Sequence, residues 1–165
     1  NYTAVGSATV VASRMEQLGK YFRVTPLVTG TVAHEIANDF LCVYLNLAPP
    51  PGNNSGGSNG GYVHVYHLVG RKKEVPKKYF LIAKTFDQIH TAVQEGDTQR
   101  ALFIIKSSLE NERFKIYKAA LKILRQNIED GRITKDAYSY STSNSSYSKS
   151  HDPSLVSSPA FFGVE

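Results

Sequence analysis

The sequence predicts an α+β domain in which a small antiparallel β-sheet from the N-terminal half packs on an antiparallel three-helix bundle from the C-terminal half. Strand-like, Gly-rich sequence precedes residue 71, apolar residues recur with helical spacing over residues 77–131, and Ser, Tyr, Asn and Thr dominate residues 137–158. A chain of 165 residues fits one domain. We place that domain at residues 1–136 and a flexible tail at residues 137–165.

The strand-rich segment, residues 1–70, opens with small and β-branched residues over 1–13, which predict an exposed strand or an ordered arm. A short helical turn is predicted from Ser13 to Leu18, closed by Gly19. Tyr21 to Thr25 then predicts a strand, because its aromatic and β-branched residues favour extended backbone.

Three further segments complete the predicted sheet. Gly30-Thr31 offers an N-cap for a helix over 32–39, and the apolar run that follows predicts a strand over 40–47. Residues 48–61 predict a Gly/Pro loop, because prolines remove amide donors and glycines raise the entropic cost of order. Residues 62–69 predict a second strand, so the two strands and the loop predict a β-hairpin.

The second half carries three predicted helices. Apolar residues three and four apart from Tyr79 to Val93 indicate the first, which Gly96 ends, and Asp97 is an N-cap for the second. The tight turn between them predicts an antiparallel helix pair. The third helix, over 112–129, has one apolar stripe, made of Phe114, Tyr117, Leu121, Leu124 and Ile128.

The net charge of +5 lies entirely after residue 70, because three basic and three acidic residues cancel before it. The first basic group is Arg71, Lys72, Lys73, Lys77 and Lys78, at a strand-to-helix junction. The second basic group is Lys115, Lys118, Lys122 and Arg125, and its 3,4,3 spacing predicts one helical face. Both groups are candidates for binding a polyanion, and solubilising surface charge is the alternative interpretation.

No catalytic or metal-binding motif stands out in the sequence. Cys42 lies in an apolar run, which predicts a buried small hydrophobe rather than a reactive thiol. His34 lacks a second histidine four residues later, and His64 and His67 would face opposite sides of a strand. We assign no catalytic residue, no metal site and no cofactor. An enzyme of unrecognised type around His34 and Cys42, sharing one helical face, is kept as an alternative.

A folded core combined with extended, interaction-prone segments predicts a non-enzymatic structural or assembly protein. It would bind protein partners, or copies of itself, through exposed tyrosines, the Gly/Pro loop and a C-terminal docking peptide that contains Phe161 and Phe162. The main alternative is a basic protein that binds nucleic acid or makes peripheral contact with an anionic membrane. No apolar stretch reaches the roughly 20 residues of a membrane span, so we expect a soluble protein. The single cysteine favours a reducing compartment.

Overall fold

A computed structural model describes residues 7–48 and 63–138 of the chain. These residues form, in chain order, α1 (Ser7–Phe22), β1 (Leu27–Thr29), α2 (Gly30–Glu35), β2 (Phe40–Ala48), β3 (Val63–Arg71), α3 (Lys77–Gln94), α4 (Thr98–Glu110), a 3-10 helix (Glu112–Tyr117) and α5 (Lys118–Glu129). A final helical turn covers residues 135–138. The architecture is α+β with a three-stranded antiparallel sheet, which confirms the predicted class.

The sheet has β3 at its centre, in the order β1-β3-β2, and both neighbouring strands run antiparallel to it. Tyr66 of β3 lies opposite Tyr44 of β2 and Val28 of β1. The prediction that β2 and β3 pair as the strands of a hairpin is confirmed. The predicted loop tip, in residues 49–62, lies outside the described residues.

The N-terminal segment is helical, which corrects two strand predictions. Helix α1 occupies the described part of residues 1–13 and extends to Phe22, so the strand predicted from Tyr21 to Thr25 is also wrong. β-Branched residues favour extended backbone, but Met15, Leu18 and Phe22 recur at helical spacing and are all buried. Burial of that apolar stripe outweighs propensity differences, which are well below 1 kcal/mol per residue.

Helix α2 and strand β2 agree with the elements predicted from the sequence, except at the ends of the helix. Helix α2 begins and ends earlier than the predicted range of 32–39, whereas β2 matches the predicted strand over 40–47. The N-cap is Thr29, whose hydroxyl accepts a hydrogen bond from the Val32 backbone N–H at 3.4 Å. The capping side chain therefore lies just before the predicted Gly30-Thr31 pair.

The predicted pair of helices, α3 and α4, forms with the expected signals at its turn. Gly96 has φ 82°, a left-handed conformation that glycine adopts without steric cost. The Asp97 carboxylate accepts a hydrogen bond from the Arg100 backbone N–H at 3.0 Å and caps α4. Helix α3 packs against both α4 and β2, with Ile82 and Phe86 fully buried.

The third predicted helix is divided into the 3-10 helix and α5. Asn111 begins the 3-10 helix by accepting a hydrogen bond from the Arg113 backbone N–H at 2.9 Å. A 3-10 helix has three residues per turn, so Phe114 and Tyr117 lie on the same face, and both are buried. The apolar stripe continues along α5, which packs against α4, β2 and α1.

Candidate functional site

The first basic group lies on one short surface segment between β3 and α3. Its members, in order, are Arg71, Lys72, Lys73, Lys77 and Lys78. Backbone hydrogen bonds hold the turn, because the N–H groups of Glu74 and Val75 both donate to the Arg71 carbonyl, at 2.9 and 3.0 Å. The Lys72 N–H also donates to the Asp39 carbonyl at 2.8 Å, which ties the turn to the start of β2. The turn therefore has a defined backbone.

Two cations of this group lie over aromatic rings. The Arg71 guanidinium carbon is 5.6 Å from the centre of the Phe40 ring, and the Lys78 ammonium is 5.2 Å from that of Tyr79. Such cation–π contacts at exposed sites contribute about 0.5–1 kcal/mol each. Among the described residues, Arg71 and Lys78 form no ion pair. Their charges therefore remain open to an external anion.

An open depression of about 260 Å³ lies beside this segment. It is lined by His67, Val69, Gly70, Arg71, Glu74, Val75, Pro76 and Tyr79. His67 is buried, and its Nδ1 lies 2.7 Å from the Tyr117 hydroxyl. Burial lowers the pKa of His67, and a hydrogen bond to the Thr25 backbone opposes that shift. His67 lines the depression, but its ring already has two hydrogen-bond partners within the protein. We therefore do not expect it to bind a ligand there.

The second basic group has two cations in ion pairs. Lys118 pairs with Glu112 at 3.2 Å, and Arg125 pairs with Glu129 at 2.8 Å. Exposed ion pairs of this kind contribute only about 0–1 kcal/mol to the stability of the fold. Their acidic partners offset part of the positive charge of the second basic group. Lys115 and Lys122 are exposed and form no ion pair within the described part of the chain.

The residues considered for an enzyme do not share a helical face. Helix α2 ends at Glu35, whereas Cys42 lies on β2 and is buried. Burial raises the pKa of the Cys42 thiol to about 11, although the charge of Lys72 lowers it. The prediction of Cys42 as a buried small hydrophobe is confirmed, and the predicted common helical face with His34 is wrong.

A buried cluster of tyrosines and histidines connects α3 to the sheet and to the final helical turn. The His90 ring stacks on the Tyr44 ring with centroids 3.8 Å apart, and Tyr44 stacks on Tyr66 at 4.8 Å. His90 Nε2 lies 3.2 Å from the Tyr44 carbonyl, which can only accept, so Nε2 carries the proton. The other ring nitrogen, Nδ1, then accepts from the Tyr138 hydroxyl at 2.5 Å.

Asp87 is a partly buried carboxylate on α3, close to this cluster. Burial raises its pKa to about 6. Burial is also the main cause of the raised pKa values of Tyr44 and Tyr66, and the negative charge of Asp87 adds to both shifts. Within the described residues, the Asp87 carboxylate has no hydrogen bond or ion pair. A carboxyl group with a strongly shifted pKa can mark a functional site, but it can also result from structural packing. The side chains that surround Asp87 contact one another within the fold.

The sequence pattern predicts only fragments of this cluster. Alternation along β3 places His64 and Tyr66 on one face, and the predicted separation of His64 from His67 is consistent with their partners. His64 contacts the Tyr44 hydroxyl at 2.7 Å, whereas His67 contacts that of Tyr117. Contacts between residues about 50 positions apart leave no local signal in the sequence.

Large exposed apolar side chains are a further surface feature that the sequence analysis did not single out. Those with the largest exposed fractions are Val10, Tyr21, Val32, Phe80, Leu81, Phe103 and Ile116. Phe103 is 71% exposed, in the middle of α4. Phe80 and Leu81 are adjacent on α3. Which of these apolar residues are exposed depends on which face of each helix packs inward, so helical spacing alone does not identify them.

The described residues hold neither a cluster of metal ligands nor a membrane-spanning helix. They contain no group of three or more His, Cys, Asp or Glu side chains that could hold a metal ion. None of the helices in this part of the chain is long and apolar enough to cross a membrane. Phe161 and Phe162 lie outside the described residues. Comparison with protein-family models, curated proteins and solved structures finds no match to this chain.

Proposed function

We propose that this chain is a non-enzymatic structural or assembly protein that binds protein partners. In this proposal α3, α4 and the segment from the 3-10 helix through α5 act as a three-helix bundle that presents a docking face. The Gly/Pro loop and the tail, with Phe161 and Phe162, extend the contact area. The observation that carries the proposal is the 71% exposure of Phe103 on α4.

Phe103 lies at the centre of the outward face of α4. Its neighbours one turn away on that face are exposed and polar: Gln99, Arg100, Lys106 and Ser107. Burying a phenylalanine side chain contributes about 1.5–3 kcal/mol, and interface energy concentrates in apolar anchors surrounded by polar residues. A protein surface that covers Phe103 would gain such an anchor.

The hydrogen bonds of the buried histidines favour a binding protein over an enzyme. Both ring nitrogens of His90 have protein partners, and His67 bonds Tyr117 and the Thr25 backbone. A general acid or base needs at least one position open to the substrate. These histidines instead stabilise contacts between distant segments.

Co-purification of the full chain from its native source tests the proposal. A defined set of proteins should remain bound at high salt, and Phe103→Ser should release them by removing the anchor. The matched control is Val32→Ser, which removes a 40% exposed apolar side chain from α2. If Phe103→Ser and Val32→Ser retain the same proteins as the unmodified chain, the α4 face is not the docking site.

A second function, binding of a polyanion, is favoured by the first basic group. Five of the eight residues from 71 to 78 are cationic, and Glu74 is the one acid among them. Each cation that neutralises a phosphate releases counterions, so binding should weaken steeply with salt. The second basic group would add Lys115 and Lys122, whose charges are not offset by ion pairs in the described part of the chain.

Binding of a single-stranded oligonucleotide, measured at several salt concentrations, tests this second function. Joint charge reversal by Lys118→Glu and Lys122→Glu should weaken binding and reduce the logarithmic salt slope by about 1 or more. Lys106→Glu, at an exposed lysine on α4, is the control and should leave the slope unchanged. An unchanged slope in the double variant would exclude the second basic group from the binding surface.

A further inference from the structure

The outward stripe of α3 combines apolar and basic side chains. It consists of Lys77, Phe80, Leu81, Lys84 and Gln88, all of them exposed. Steps of three, one, three and four residues place these five side chains on one face of the helix. Ile82 and Phe86 lie on the opposite face and are fully buried. The stripe is therefore the solvent-facing side of a helix whose other side is part of the core.

The two apolar residues of the stripe are large and adjacent. Phe80 is 38% exposed and Leu81 is 49% exposed. Lys77 lies three residues before Phe80, and Lys84 lies three residues after Leu81, so a lysine flanks the pair on each side. Both residues lie on the solvent-exposed side of α3.

The charge around the stripe is positive. The stripe contains two lysines and no acid, and Lys72, Lys73 and Lys78 extend the cationic surface at its N-terminal end. Glu74 is the acid of that turn. Asp87 also belongs to α3, but it is partly buried next to Tyr44 and Tyr66. An anionic surface would therefore meet mainly ammonium groups.

We propose that this stripe binds the surface of an anionic lipid bilayer. Phe80 and Leu81 would enter the boundary between headgroups and acyl chains, while Lys77 and Lys84 would contact the headgroups through their long apolar stems. The inference rests on the second function proposed above, that the basic surface binds a polyanion, and it specifies which polyanionic surface that is.

The composition of the stripe favours a lipid surface over nucleic acid. Bases stack on flat aromatic faces, and Leu81, the more exposed of the two apolar residues, has none. A bilayer accepts an aliphatic and an aromatic side chain equally well at its boundary region. It is also flat and deformable, so it can contact two side chains that project from a convex helix.

Vesicle binding with a tryptophan reporter tests the inference directly. The chain contains no Trp, so Leu81→Trp gives a single emission signal at the stripe, and Val10→Trp gives a control at a 50% exposed position on α1. The probes are vesicles of phosphatidylcholine alone and vesicles with about 30 mol % phosphatidylserine, which supplies the negative surface. We expect a blue shift of Leu81→Trp emission with the anionic vesicles and none for Val10→Trp.

Affinity measurements complete the test. Leu81→Ser should weaken anionic-vesicle binding about tenfold, because it removes inserted apolar surface. Lys84→Gln should weaken it about fivefold through loss of one headgroup attraction. Val10→Ser, at an exposed apolar residue outside the stripe, should leave it unchanged. Circular dichroism and thermal unfolding confirm that each variant is folded, as expected for exposed positions.

The possible results separate this inference from the second function. Oligonucleotide binding without vesicle binding would overturn the lipid inference and leave the polyanion function in place. Binding of neither probe would overturn both. Vesicle binding that is insensitive to Leu81→Ser would place the contact elsewhere on the protein and overturn the role of the stripe.

Discussion

Tyr138 donates its hydroxyl hydrogen to Nδ1 of His90 across 2.5 Å, and this contact joins two segments that lie 48 residues apart. Both residues are buried, at 5% and 2% exposure. The final helical turn at residues 135–138 is therefore part of the packed structure. His90 in turn donates to the Tyr44 carbonyl, so a strand, a long helix and this final turn share one hydrogen-bonded unit.

Tyr138→Phe should destabilise the fold by about 1–3 kcal/mol. The substitution removes the hydroxyl but keeps the ring, which leaves a buried nitrogen of His90 without a donor. Urea unfolding at neutral pH measures the loss. Tyr21→Phe is the matched control, because Tyr21 is 59% exposed. Equal stabilities for Tyr138→Phe and Tyr21→Phe would show that the contact does not hold the final turn.

Asp87→Asn should stabilise the protein above pH 6. Burial raises the folded-state pKa of Asp87 from 3.8 to about 6, so folding favours the protonated carboxyl. The corresponding stability is present below pH 3.8 and is lost as the pH rises through about 6. The uncharged amide avoids this loss, and we expect a gain of about 1–3 kcal/mol at pH 7.5.

Unfolding curves between pH 4 and pH 8 check that expectation. The difference between Asp87→Asn and the unmodified chain should widen as the pH rises and become constant above about pH 7. Asp39→Asn, at an exposed aspartate, serves as the control. A constant difference over the whole range would mean that the charge of Asp87 costs nothing in the folded state.

His67 should produce a pH dependence of the opposite sign. Its folded-state pKa is lowered from 6.5 by burial, so folding favours the neutral ring. That stability is present above pH 6.5 and is lost as the pH falls through the folded-state pKa. Nuclear magnetic resonance titration of His67 should give a midpoint below 6.5, and a midpoint at or above 6.5 would contradict the buried placement.

Ala12→Pro should destabilise the fold by about 3 kcal/mol or more. Ala12 lies in the interior of α1, where proline removes a backbone hydrogen bond and clashes with the preceding turn. If residues 1–13 formed an exposed strand or an ordered arm, as the sequence predicts, the same substitution would cost less. Ala12→Ser, which keeps the N–H group, is the control, and thermal unfolding compares the two variants.

The elements that sequence reasoning predicts well are those with strong periodicity. The stripe from Phe114 to Ile128 and the turn at Gly96 follow from local spacing and backbone chemistry, so they are predictable. Helix α1 is not predictable in this way. Its β-branched residues favour a strand, and only the packing of Phe22 against other elements favours the helix. Long-range contacts decide such cases.

The candidate sites also differ in how far they can be predicted from the sequence. The run from Arg71 to Lys78 is visible in the sequence because its members are adjacent. The pairing of Lys118 with Glu112 and the exposure of Phe103 are not, because they depend on the 3-10 helix and on which face of α4 packs inward. A sequence pattern gives the charge of a residue but not its partners.

Site-specific photo-crosslinking at position 103 tests the central proposal most directly. A photoreactive phenylalanine analogue would replace Phe103 in the full chain in its native source, and a second chain would carry it at Val10, which is 50% exposed on α1. We predict a defined protein, or a second copy of this chain, crosslinked at position 103 and not at position 10. No crosslinked product at position 103, or the same set of products at both positions, would contradict a docking role for the α4 face.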